Sequence, residues 1–526
     1  MVLKTKNPPD EYSGSSAGSL TMDIILRFIL AYTGWPWLSI AAALHILAFL
    51  IVSYHCLLQR RVATSALLWI FVAWSLPVIG PFLYLIAGVN RLPTKGWQKH
   101  RSDEQLLSTR QEITEKNTPE LVYWRAVHNG FISEPPTQFG KQLNSSMDVS
   151  LRQYPLLTGN KITPLLNGDE AYPQMLEAIK NAEHHIHLIS FIIKNDNTGT
   201  RFMNALADKA REGCKVRVVF DRIGSSSGIL SGFFRKYRKI PNMEVVSWTQ
   251  ANFFKRQFQI NLRNHRKIMV VDGTQAFIGG ININDRNITR GDIPPFEDFH
   301  FNVRGPAVQE LQYTFLRDWH FMTNQDPAEL LHQKHFPPIS KQGDTPLRIV
   351  NSGPTTGEMK IVADVVFTCI VSARQDIIAA TPYFVPENDI LQALRIAALK
   401  GVRVRLIVPE KNNHFTAGWA GRARYQDLLE AGVEIYERKP PFMHAKALFI
   451  DDEVALVGTA NLDERSLRLN YETNLAVYDP AFISELKRNL IYELSMSTSI
   501  PLEHWLNRPM RQRILENFCN LLTPIL

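Results

Sequence analysis

One pattern occurs twice in this chain with every spacing kept, and it reads H-x-K-x4-D-x6-G-[GT]-x-N. The first copy is His265, Lys267, Asp272, Gly279-Gly280 and Asn282; the second, 179 residues further on, is His444, Lys446, Asp451, Gly458-Thr459 and Asn461. A lone histidine beside an apolar strand is ordinarily structural, but recurrence at unchanged spacing marks a duplicated unit. The flanking sequence repeats as well. An apolar run at 186–193, a helical stretch at 201–211 and a glycine-initiated strand at 213–220 are matched by 377–380, 390–399 and 401–408. Strand, helix and strand in that order predict a βαβ unit in each copy, within an α/β sheet covered on both faces. The Val402-Arg-Val-Arg405 alternation predicts that this strand of the second copy lies at an edge.

The spacing has a chemical reading. Residues two apart on extended backbone project from one face, so each histidine and its lysine point at the same spot. The four apolar residues after each lysine anchor the strand in the core. By parity Asp272 and Asp451 face away from the histidines, and for them a catalytic part and a turn or structural part both stay open. The glycines and the carboxamides of Asn282 and Asn461 allow close approach of an anion, as in phosphate binding. Two imidazoles and two ammonium groups suit a phosphodiester. The lysines neutralise the non-bridging oxygens, one imidazole attacks phosphorus, and the other protonates the leaving alcohol and later deprotonates the incoming one. A covalent phosphohistidine lies between the two steps. An ammonium beside each imidazole repels a divalent cation and no carboxylate-rich ligand set accompanies the pattern, so no metal or other cofactor is expected.

A mean hydropathy of −0.13 hides an apolar N-terminus. Residues 28–59 and 62–90 contain no charged side chain, and only Arg60 and Arg61 separate them. A hydrocarbon core needs about 20 apolar residues as helix, so the two stretches predict a two-helix transmembrane hairpin. Trp35, Trp37, Trp69, Trp74 and Tyr84 suit interfacial or helix-packing positions, and Pro77, Gly80 and Pro81 make a kink that a membrane helix tolerates. A cleaved signal peptide has one short apolar region near its start, which is not the pattern here. Arg91, Lys95, Lys99 and Arg101 follow the second stretch. They place both termini and the catalytic body in the cytoplasm, on the cell inner (cytoplasmic) membrane.

The net charge of +8 favours an anionic partner, but its even spread lacks the dense basic tract of a nucleic-acid protein, so membrane lipid is expected instead. Cys56, Cys214, Cys369 and Cys519 are scattered, which excludes a disulfide framework and a cysteine-rich zinc site. The expected organisation is a tail and two spans over 1–95, a partly helical linker over 96–160, a first copy over 161–345 and a second over 346–526. Both halves of one site come from one chain, so no protein partner is required. Tyr383 and Phe384 are read as core in preference to a lipid entrance. Residues 505–526 are read as an amphipathic helix resting on the domain in preference to the bilayer.

The duplicated pattern resembles the HKD motifs of the phospholipase D superfamily, and more narrowly the bacterial cardiolipin synthases. Beyond residue 20 the likeness covers nearly the whole chain. It includes the second apolar stretch, Arg263-Asn264-His265-Arg266-Lys267, Ser352-Gly353-Pro354, the run from Thr381 to Pro386, and the run from Gly458 to Ser466. The resemblance implies two tandem phospholipase D-like α/β/α sandwich domains sharing one active site. It also implies phosphatidyl transfer, in which one phosphatidylglycerol gives a phosphatidyl-enzyme and glycerol, and a second displaces the enzyme to give cardiolipin. Hydrolysis to phosphatidic acid is the alternative within the superfamily. By the same resemblance His265 is the nucleophile, His444 the general acid and base, and Asp298 and Glu472 the carboxylates that orient the imidazoles. Three positions depart from the pattern: Gly280 where many members have Ser, Asn412-Asn413-His414 without an Asp, and Pro440-Pro441-Phe442-Met443 before His444.

Overall fold

The computed structural model describes residues 36–58, 63–88, 92–115, 130–248, 263–338, 340–355, 358–521 and 523. The N-terminal tail with Trp35, the turn arginines Arg60 and Arg61, Arg91, and part of the expected linker lie outside the described residues. The chain forms two units, Met1–Arg91 and Leu92–Leu526.

In the first unit the helix Pro36–Leu58 contains a 19-residue segment, Ile40–Leu58, of mean hydropathy 2.0, long and apolar enough to cross a membrane. The second apolar stretch divides. A helix over Ala63–Ser75 ends before Pro77, Val78 takes φ 64°, and a short helix Ile79–Leu83 follows. Proline lacks the N–H that would continue the ladder and disfavours helix in the residue before it. Among the described residues one helix is therefore long and apolar enough to cross a membrane, where two were expected. The helices pack through Val52, Cys56, Ala73 and Tyr84, with the Trp69 and Tyr84 rings edge to face at 5.6 Å. Leu50, Leu57, Leu67, Phe71 and Leu85 point outward and are exposed.

Among the described residues, the second unit is built on one fifteen-stranded sheet. In the first copy its strands are β1 (Leu156–Leu166), β2 (His185–Ser190), β3 (Lys215–Asp221), β4 (Met243–Trp248), β5 (Ile268–Val271), β6 (Gln275–Gly279) and β7 (Phe299–Arg304). In the second they are β8 (Thr345–Ser352), β9 (Asp376–Ala380), β10 (Arg403–Pro409), β11 (Glu434–Arg438), β12 (Ala447–Ile450), β13 (Val454–Gly458), β14 (Glu472–Val477) and β15 (Ser497–Ser499). The order is β15-β11-β10-β9-β12-β13-β14-β8-β1-β7-β6-β5-β2-β3-β4, so the copies mirror each other across an antiparallel β1–β8 seam. Both expected βαβ units are present, with β2 and β3 parallel around the helix Asn197–Arg211 and β9 and β10 parallel around Asn388–Leu399.

Strand β10 is not an edge. It lies between β9 and β11, and its arginines are tolerated because Arg403 pairs with Glu434 at 2.8 Å and Arg405 with Asp376 at 2.7 Å.

Alternation along the strands feeds two faces. Ile268 and Val270 of β5 join Ala447 and Phe449 of β12 in one core shared by both copies, roofed by the helix Ala307–Thr323. Met269 and Val271 face a core belonging to the first copy, and Leu448 and Ile450 one belonging to the second. The stretch read as a linker is part of this body. Its helix Leu92–Glu115 buries Lys99, Asp103 and Leu106, and its helix Gln138–Met147 buries Phe139, Leu143 and Met147.

Candidate active site

The histidines and lysines do not sit in strands but in the extended segments that lead into β5 and β12. Each segment is clamped to the other copy. The His265 N–H donates to the Tyr471 carbonyl at 2.9 Å and the Tyr471 N–H to the Arg263 carbonyl at 2.9 Å. The His444 N–H donates to the Glu297 carbonyl at 2.6 Å and the Glu297 N–H to the Phe442 carbonyl at 3.0 Å. Tyr471 and Glu297 directly precede the two orienting carboxylates, so the clamp decides which carboxylate meets which ring. Nδ1 of His265 lies 3.0 Å from both Glu472 oxygens, and Nδ1 of His444 lies 2.6 Å from Asp298 Oδ2. Each carboxylate serves the histidine of the opposite copy.

The lysines lie beside these rings. Lys267 Nζ donates to the His265 carbonyl at 2.7 Å; Lys446 Nζ donates to the His444 carbonyl and stands 2.9 Å from His444 Nδ1. One nitrogen cannot donate to Asp298 and accept from Lys446 together. The shorter, charge-assisted contact assigns the Nδ1 proton to Asp298, and leaves Lys446 acting on the ring through its charge. Burial lowers the His265 pKa to about 4 against the pull of Glu472, and burial with the Lys446 charge lowers that of His444 to about 4. Burial likewise brings Lys267 to about 7 and Lys446 to about 8. Burial alone would raise Asp298 and Glu472, but the lysines and histidines beside them hold both carboxyls below their usual range. Each lysine also depresses the histidine of the other copy, so the two motifs share one electrostatic centre. Near neutrality both rings are neutral, with Nδ1–H held by a carboxylate and the Nε2 lone pair left for chemistry.

The two halves are not equivalent. Glu472 also accepts from Thr459 Oγ1 at 2.5 Å, Ser466 Oγ at 2.8 Å and Asn470 Nδ2 at 3.3 Å. Asp298 accepts the N–H of Phe299 at 2.8 Å and, among the described residues, no hydroxyl. The departure at Gly280 follows from this. A Cβ there would sit 2.1 Å from Asp298 Oδ1, so the shorter carboxylate occupies the space that a serine side chain would need.

Asp272 and Asp451, expected among the catalytic residues, are not in the site. Both sit in the left-handed turn that closes their strand, at φ 49° and 51°. Asp272 accepts the N–H groups of Glu183, His184 and His185, each at 2.8 Å, and Asp451 those of Arg374, Gln375 and Asp376 at 2.7, 2.8 and 2.9 Å. An aspartate suits this place because it tolerates left-handed backbone and its carboxylate gathers the loose amides before the neighbouring strand.

Asn282 Oδ1 takes the N–H of Ile192 at 3.1 Å, beside Phe191, whose ring meets His265 edge-on at 4.9 Å. Asn461 Nδ2 donates to Asp463 at 3.1 Å. Phe384 is buried in the core, whereas Tyr383 is half-buried with its ring 6.3 Å from that of His444. Phe442 and Phe296 complete an aromatic collar around His444. Sequence reasoning missed the support beneath the site. Arg266, of opposite parity to the histidine and lysine, pairs with buried Asp318 at 2.6 Å and donates to Thr473 at 2.9 Å, while Asn264 donates to Asp318 at 2.7 Å and Lys99 stands 3.5 Å from it. The parity of Arg266 signalled an inward cation; nothing local identified Asp318 or Lys99 as its company.

A family model described as "Cardiolipin synthase, PLD-like domain" matches residues 175–319 and 366–492, and one described as "Phospholipase_D-nuclease N-terminal" matches residues 37–88. A cardiolipin synthase of Alkalihalophilus pseudofirmus is 34% identical over 471 residues, covering 89% of this chain and 90% of that protein. Another, of Geobacillus kaustophilus, is 32% identical over 514 residues, covering 96% and 98%. Among solved structures, a phosphatidylserine synthase of Haemophilus influenzae Rd KW20 shares the fold, with a TM-score of 0.55 at 16% identity over 73% of this chain and 98% of that one.

Proposed function

The chain belongs to the cardiolipin synthase family of the phospholipase D superfamily, and from that premise we propose that it joins two phosphatidylglycerol molecules into cardiolipin, with release of glycerol. It is an enzyme, a phosphatidyltransferase. The observation that carries the reading is the crossed pairing of His265 with Glu472 and of His444 with Asp298, which supports one site assembled from both motifs.

His265 Nε2 attacks phosphorus of the first lipid. The P–N bond forms as the P–O bond to glycerol breaks, and His444, which takes a proton from solvent on Nε2 when the phosphodiester anion binds, gives that proton to the departing oxygen. The hydroxyl of the second phosphatidylglycerol then returns a proton to His444 and attacks, forming the new P–O bond and freeing His265. Lys267 and Lys446 hold the non-bridging oxygens, with Asn282 and Asn461 beside them. The unequal carboxylates support these roles. Glu472 divides its charge among three other donors and leaves His265 neutral and nucleophilic, whereas Asp298, whose charge is shared with Lys446, holds Nδ1 of His444 by the shorter contact, and the phosphodiester anion, once bound, offsets the Lys446 charge and favours the protonated His444.

No step uses a metal or other cofactor, a nucleic acid or a protein partner. The first copy is assigned to 161–345 and the second to 346–526. The first unit exposes leucines and buries a small cluster, as a segment in hydrocarbon does. This supports membrane attachment, with the broken stretch making a second span and the body on the cytoplasmic side of the inner membrane.

The test is a product assay on purified protein in mixed micelles of phosphatidylglycerol with EDTA, read by mass spectrometry against His265→Ala. Cardiolipin with matching glycerol, absent in the variant, is expected. Phosphatidic acid in its place would mean that water wins at the intermediate, and would overturn the transferase reading.

A further inference from the structure

The helix Met510–Leu521 near the C-terminus has two apolar sides. One side packs on the body, where Leu515 and Cys519 meet Val385, Trp419 and Ala420. Glu516, its one acidic residue, is buried between Arg422 and Arg508 at 3.4 and 2.9 Å. The opposite side is in the open. Met510, Ile514, Phe518 and Leu521 are 76, 61, 58 and 76% exposed. At 3.6 residues per turn these four fall within an arc of about 80°. No other helix of the second unit, among the described residues, leaves four large apolar side chains exposed. Single exposed apolar residues are ordinary on a soluble surface, but a continuous stripe of them is not.

What flanks the stripe indicates its occupant. Arg511 lies about 60° to one side and Arg513 about 100° to the other, and both are exposed. No exposed carboxylate interrupts this face. An apolar arc bordered on both sides by arginines fits the boundary of an anionic bilayer, with rings and aliphatic chains among the acyl chains and guanidinium groups at the phosphates. A second copy of this chain would set these arginines against their like, with no carboxylate on the face to pair them.

We propose that the helix Met510–Leu521 is a membrane-contact element lying in the plane of an anionic lipid surface, separate from the N-terminal span. The helix rests on Phe415–Arg422, whose first residue Phe415 is 61% exposed and whose preceding residue His414 has its ring tilted against that of Tyr383 of the catalytic collar, 5.4 Å away. The contact therefore holds the mouth of the site at the level where the phosphates of its substrate lie. This inference rests on the chain being a lipid enzyme, as proposed above.

The test uses the full-length protein in phosphatidylglycerol vesicles whose acyl chains are brominated. An environment-sensitive fluorophore is attached at Phe518→Cys, and in a control at Leu230→Cys, a side chain 87% exposed in the first copy. The native cysteines are buried and do not compete for the label. Quenching at 518 and none at 230 is the expected result. No quenching at 518, or equal quenching at both, overturns the proposal, and a blue-shifted but unquenched label at 518 would give this face to a second protein copy. A second measurement uses Ile514→Glu with Phe518→Glu. Turnover on phosphatidylglycerol vesicles is expected to fall about tenfold or more, while turnover of a short-chain phosphatidylglycerol below its micelle concentration stays within about twofold. Equal rates on vesicles would refute the contact. Failure of the unsubstituted protein to make cardiolipin would instead refute the function on which it rests.

Discussion

At the scale of single residues, the structure separates two kinds of position that the repeated pattern presents as one. His265, Lys267, His444 and Lys446 meet in one buried centre, while Asp272 and Asp451 staple backbone at the opposite end of their strands. Parity along the strand made this division legible for the aspartates, but not the three amides that each one gathers. Asp272→Ala is therefore expected to cost about 2–4 kcal/mol of stability, from the loss of hydrogen bonds to a charged acceptor. Denaturant unfolding checks this, and kcat of the folded fraction is expected to stay within a few fold of the unsubstituted protein. A loss comparable with that of His265→Ala would restore a catalytic part to the aspartate. Gly280→Ser, which follows the commoner superfamily residue, is expected to abolish activity here because its Cβ takes the place of the Asp298 carboxylate. Near-normal kcat/KM in that variant would show that Asp298 is not needed where it stands.

Between elements, the decisive contacts are the two short parallel bridges, Asn264 to Tyr471 and Glu297 to Met443, that exchange histidines and carboxylates between the copies. The family resemblance implied all four partners, but not which carboxylate meets which ring. The pairing of segments 207 and 146 residues apart decides that. Strand β10 illustrates the same limit. Its arginines read as an edge because their carboxylate partners, Glu434 and Asp376, lie on neighbouring strands that periodicity does not reveal. The hydroxyl of Thr459 tests the inequality of the two halves. Thr459→Val removes a donor from Glu472, leaves more negative charge facing His265 and raises its pKa. The acid limb of the kcat/KM–pH profile is expected to move to higher pH by several tenths of a unit or more. An unmoved limb would mean that Glu472 holds His265 by position alone.

Over the whole molecule, duplication is realised as one sheet with one shared core. The βαβ units, the repeat and the apolar N-terminus were legible because they are local or periodic. The burial of residues 92–115 and 138–147 in the body was not, because few apolar residues mark them and ion pairs such as Arg317 with Asp103 at 2.7 Å carry much of the docking. Burying so many neutral histidines gives the fold a pH signature. His185, His265 and His444 all have folded pKa values near 4 against about 6.5 unfolded. Between those values the unfolded chain binds more protons, so stability is full above about pH 6.5 and falls as the pH drops towards 4. The melting temperature is expected to be clearly lower at pH 5 than at pH 7; no change would mean that these rings are not held neutral.

Catalysis by the whole molecule turns on transfer through a histidine of the first motif, paired with a carboxylate of the second. It is tested most directly by mixing the protein with phosphatidylglycerol, quenching in alkali within the first turnover and mapping the adduct by mass spectrometry. A phosphatidyl group on His265 that is absent from His265→Ala and that disappears as cardiolipin forms is expected. An adduct found only on His444, or cardiolipin formed at full rate by His265→Ala, would contradict it.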